Sequence, residues 1–158
     1  MQPGDLGTAL PEVTLALICM GFLLLGAFRG EERMAPVLTV AMAIFLAALG
    51  LSVGFSGGGR VEAFGGAYIS DGFGRFAKTL ILLSSAAILA LSKDYMERRR
   101  TLQFEYPVLI GLATLGMMVM VSAGDMMTLY LGLELQSLAT YVIAAFRRAR
   151  VRSTEAGL

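Results

Sequence analysis

The sequence predicts an all-α integral membrane protein of about five transmembrane helices, with its N-terminus periplasmic and its C-terminus cytoplasmic. Three observations carry that prediction. Hydrophobic residues make up 56% of the 158 residues against 16% charged, with mean hydropathy +0.72, a balance outside that of soluble domains. The apolar residues gather into five blocks separated by short polar segments. The charges, finally, are unevenly placed. Arg29 and Arg33 follow the first block, Lys93, Arg98, Arg99 and Arg100 the third, and Arg147, Arg148, Arg150 and Arg152 the fifth. If the helices alternate in direction, these ten of the 13 basic residues share one side. The opposite side keeps Arg60, with Arg75 and Lys78 just inside the third block, and the positive-inside rule sets the orientation.

The first span, Leu10 to Phe28, follows MQPGDLGTA, which contains no Lys or Arg and so lacks the basic leader of a cleaved signal peptide. It reads as a retained helix with Pro11 in its first turn, Glu12 near the outer interface and Cys19 as a small packing residue. The second, Ala35 to Phe55, carries a Gly50/Gly54 pair at the spacing that permits close helix contact. Ser56 to Ser70, SGGGRVEAFGGAYIS, reads as a flexible outer loop. It has no following Lys-Ser/Thr pair and no preceding strand, so it is not a phosphate cradle. The third span, Gly72 to Leu91, opens with Asp71, Arg75 and Lys78 at i, i+4, i+7. Lys78 is either a buried cation in a proton path or one that snorkels to the outer interface, and snorkelling is the reading adopted. Tyr106 to Ser122 forms the fourth span and Asp125 to Phe146 the fifth, all within one membrane domain over 1–158 with the helices in one layer.

The fifth span contains the candidate site. Its 22 residues reach roughly 33 Å at helical rise, close to the hydrocarbon thickness, and Glu134 lies near the middle. An ionised carboxylate at that depth is costly unless it is neutral, paired with a cation or hydrated. Each of these makes it a group that exchanges a proton. Tyr130, Glu134, Ser137 and Tyr141 follow i, i+4, i+7, i+11 along one helix stripe. Together with Lys78 they form the candidate polar path. A purely structural hydrogen-bonding role for Glu134 is the competing reading.

Other chemistry is narrowed by composition. The chain has no His and one Cys, which removes haem, iron–sulfur and zinc sites built on those ligands. The methionines at 117, 118, 120, 126 and 127 read as adaptable packing rather than a soft-metal site. The arginines at 98 to 100 adjoin a membrane helix and read as a topology signal, not as a nucleic-acid site. Redox chemistry therefore belongs to partners.

The stretch GDMMTLYLGLELQSLATYVIAAFRR with RSTEAGL after it, and more weakly DGFGRFAKTLILLSSAAILALSKDYM, resembles the antiporter-like membrane subunits of bacterial proton-pumping NADH-quinone oxidoreductase, respiratory complex I. The family also includes subunits of multisubunit cation/proton antiporters. The resemblance implies a multi-pass protein of the bacterial inner membrane that contributes to proton translocation coupled to quinone reduction. It implies no cofactor in this chain, with NADH, flavin, iron–sulfur clusters and quinone in partner subunits, and it implies sister antiporter-like subunits and the lipid bilayer as partners. It also implies that Glu134 is the family's membrane glutamate, which pairs with a lysine on a later helix. Family members continue past the position of Leu158, so the resemblance implies an N-terminal portion that is inactive alone. An antiporter subunit, or a structural membrane protein without transport, are the alternative readings.

Overall fold

A computed structural model describes residues 7–29, 31–98 and 103–145. Five helices run through them: α1 Leu10–Arg29, α2 Glu31–Phe55, α3 Gly72–Arg98, α4 Glu105–Val121 and α5 Met126–Ala144. By length and composition, Leu10–Phe28, Ala35–Phe55 and Gly72–Glu97 are able to cross a membrane, and Glu105–Val121 is a shorter apolar helix. Arg99, Arg100 and the arginines from 147 onward lie outside the described residues.

Two helices outrun their apolar blocks. α2 starts four residues before Ala35 and takes Pro36 inside it, where the ring forfeits one backbone hydrogen bond near the helix start. α3 continues past Leu91 through SKDYMER, which are adequate helix formers, and Lys93 and Glu97 stand 3.9 Å apart at i, i+4. Loss of apolarity after Leu91 does not end the helix.

The helices do not form one layer. α4 touches α1, α2, α3 and α5, so it is central. Its apolar residues face all directions, as expected of a helix enclosed by others. Leu15 and Cys19 from α1, Met42 and Leu46 from α2, Leu82 and Leu89 from α3, and Leu115 and Met118 from α4 build one core. Within it the Thr114 hydroxyl donates to the Ile110 carbonyl at 2.7 Å and lies 2.8 Å from the Ser85 oxygen, so a polar link between α3 and α4 is satisfied internally.

Glycines set the closest approaches. A Cβ at Gly50 would stand 3.1 Å from Leu82 Cβ, and one at Gly54 3.2 Å from Thr79 Cγ2, so the Gly50/Gly54 pair does face a neighbouring helix, α3. The tightest contact is between α4 and α5. A Cβ at Gly116 would be 2.7 Å from the Gly132 carbonyl oxygen and 2.7 Å from Gln136 N.

Ser56 to Ser70 is not simply a flexible loop. Val61–Ala63 (β1) and Tyr68–Ser70 (β2) pair antiparallel, with Ala63 opposite Tyr68. A 3-10 turn at Phe64–Gly66 joins them, with φ positive at Phe64, Gly65 and Gly66. The hairpin is tied to the α4–α5 link: Ile69 N donates to Ser122 O at 2.8 Å and Gly124 N to Ala67 O at 2.8 Å. Gly124 is obligatory there, because a Cβ would overlap the Gly66 carbonyl.

Candidate proton sites

The hairpin positions one partner of a buried charge cluster. Glu12, in the first turn of α1, and Lys78, in the second turn of α3, bring Oε1 and Nζ to 2.6 Å with side chains 7% and 4% exposed. The Lys78 ammonium also donates to the Tyr68 hydroxyl at 2.6 Å and lies 4.7 Å from the Tyr68 ring centroid. Tyr68 Oη is 3.0 Å from Glu12 Oε1 and 3.3 Å from the Thr8 carbonyl oxygen, the acceptors for its one proton. Burial first, and the Glu12 carboxylate second, push the Tyr68 hydroxyl above its ordinary range, so it stays protonated.

This arrangement corrects two expectations. Lys78 does not snorkel, and Glu12, which the sequence places near the outer interface, is buried in an ion pair; each neutralises the other. Nor do Asp71, Arg75 and Lys78 interact as one set. Asp71 Oδ1 accepts from Gly74 N at 2.6 Å, Arg75 donates to the Gly58 carbonyl oxygen, and Lys78 turns inward. Sequence reasoning missed Tyr68 and the role of Glu12. A signal existed, since α1 and α3 start on the same side and each carries one opposite charge just inside its apolar block.

Glu134 stands apart from this cluster. Asp125 caps α5, its Oδ1 accepting from Thr128 N at 2.7 Å. Gly132 faces α4, and Ala139 is buried. Glu134 and Ser137 are half-buried on the flank, while Tyr130 and Tyr141 are both exposed. The Tyr130 hydroxyl neighbours the Glu134 carboxylate, as i, i+4 spacing requires. Among the described residues Glu134 makes no salt bridge. Lys78 therefore does not join the Tyr130–Glu134–Ser137–Tyr141 stripe.

An all-α bundle with three helices apolar and long enough to cross a bilayer, and with an ion pair enclosed within it, is a multi-pass integral membrane protein. Residues 123–158 match the family described as NADH:quinone oxidoreductase/Mrp antiporter, TM. The whole chain is 55% identical to NADH-quinone oxidoreductase subunit N of Rhodobacter capsulatus, covering 33% of that protein. It is 51% identical to subunit N of a Jannaschia species, again over 33%. To subunit N of Paramagnetospirillum magneticum it is 49% identical, with 98% of this chain covering 31% of that one. The chain is thus homologous to NADH-quinone oxidoreductase subunit N, and it spans about a third of the length of these curated relatives.

Proposed function

We propose that this chain is the part of a membrane-arm subunit of NADH-quinone oxidoreductase that carries a proton acceptor, Glu134, and contributes to proton translocation coupled to quinone reduction. The observation that carries the reading is Glu134 itself: a carboxylate midway along an apolar helix, beside Tyr130 and Ser137 and without a counter-cation among the described residues. Such a group takes up a proton or awaits a cation. The identity to proteins named subunit N across the whole of this chain favours this over a cation/proton antiporter subunit, although the family description covers both.

On this reading the chain sits in a bacterial inner membrane, hairpin outward, beside sister antiporter-like subunits. It holds no redox centre, because NADH, flavin, iron–sulfur clusters and quinone belong to partners. These residues alone do not translocate protons.

The test is Glu134→Gln in the full-length subunit, assayed as NADH-driven proton uptake into inverted vesicles and normalised to assembled complex. The replacement keeps volume and hydrogen-bonding shape, so loss of pumping reports lost protonation. Wild-type NADH oxidation and pumping in an assembled variant would make Glu134 structural.

A further inference from the structure

The Glu12–Lys78–Tyr68 cluster is buried yet incompletely satisfied. Among the described residues, Glu12 Oε2 is enclosed without a hydrogen-bond partner. A purely structural ion pair reaches stability only when its remaining lone pairs are filled. An orphaned carboxylate oxygen in a native structure calls for an explanation such as a water, an ion or an exchangeable proton.

The surroundings indicate which. A cavity of about 440 Å³ reaches the cluster at Lys78, the cluster residue that lines it, and is walled by Thr8 and Pro11 at the start of α1, Ser52 and Ser56 at the end of α2, the exposed Gly57 to Gly59, and Arg75. It has room for several waters. One side of Lys78 therefore faces an aqueous pocket while the other meets Glu12. Among the described residues, the other charged side chains at the start of α3 are committed elsewhere, Arg75 to the Gly58 carbonyl and Asp71 to Gly74 N. The α2 wall offers only hydroxyls, and the α4–α5 link offers Ser122.

We propose that Glu12, Lys78 and Tyr68 form a second proton-exchange site, which binds one proton on Glu12 and exchanges it with water on the hairpin side through this cavity. It stands independently of Glu134. When the proton arrives, the carboxylate becomes a neutral acid, the pair loses its negative partner and the site gains one positive charge; release reverses both changes. Lys78 and Tyr68 hold the carboxylate and are positioning residues. The ligand is the proton alone.

The experiment is pH-difference infrared spectroscopy of the full chain in lipid nanodiscs, reading the carboxylic-acid C=O band and its shift in D2O. One component of the band should appear on acidification, be missing from Glu12→Gln and persist in Glu134→Gln. Lys78→Met, which removes the cation held against the carboxylate, should change the band's frequency and intensity. Gly57→Leu, which adds bulk to the cavity wall, should slow its response to D2O. Should Glu12→Gln unfold the chain, Tyr68→Phe, which keeps the ring under the ammonium but removes the hydroxyl beside Glu12 Oε1, should still change the component's frequency. A difference spectrum insensitive to Glu12, or a band unmoved by Lys78→Met, would overturn the site while leaving Glu134 untouched.

Discussion

Lys78 Nζ lies 2.6 Å from Glu12 Oε1 although 66 positions separate the two residues in sequence, and Tyr68 bridges them from a third element. The contact joins the starts of α1 and α3 on the side of the hairpin.

Removing one partner strands a buried charge, whereas removing both does not. Glu12→Gln and Lys78→Met should each lower unfolding stability by about 3–5 kcal/mol. The double variant should recover most of that loss. The measurement is an SDS titration followed by circular dichroism in mixed micelles; strict additivity of the two losses would show that the pair is uncoupled.

Gly116 and Gly21 provide a paired test of helix contact. Gly116→Ala places a Cβ against the Gly132 carbonyl and should cost about 1–3 kcal/mol by overpacking. Gly21→Ala meets nothing within 4 Å and should stay within about 0.5 kcal/mol of the parent. The same titration ranks them, and equal effects would refute the close α4–α5 contact.

Alkaline pH should loosen the hairpin. The Tyr68 hydroxyl is held above its ordinary value near 10, so above that pH the unfolded chain has released a proton that the folded chain keeps. Stability contributed by Tyr68 is therefore complete below that value and declines above it. Thermal midpoints followed upward from about pH 9 should fall less in Tyr68→Phe than in the parent.

The ten-to-three division of basic residues predicts an outward hairpin. In a Cys19→Ala background, an impermeant thiol reagent applied to intact cells should label a cysteine at Gly58 and spare one at Arg99. The reverse pattern would invert the topology.

The apolar blocks were legible because each is a local property of consecutive residues, and so was the Gly50/Gly54 pair, which lies on one turn of one helix. The hairpin was not. Its strands, VEA and YIS, are three residues each, too short to show alternation amid glycines, and the α4–α5 link that holds them is about 50 positions away. Periodicity placed Lys78 with Asp71 and Arg75, yet it reports only neighbours along a helix and is blind to the partner across it. Gly116 and Gly132 sit on different helices and match no motif. The Glu134 stripe was readable as a stripe, whereas its place on the flank of α5 depends on which helix α5 packs against.

The Gly116–Gly132 contact also acts as a datum. Backbones this close cannot slide past each other without collision, so α5 takes its depth from α4, and Glu134, two residues beyond Gly132, takes its depth with it. α4 in turn is seated against every other helix of the described bundle. The carboxylate is levelled from the protein's interior rather than from the lipid surface. A thinner or thicker bilayer would then tilt or stretch the outer helices while Glu134 keeps its height relative to the core.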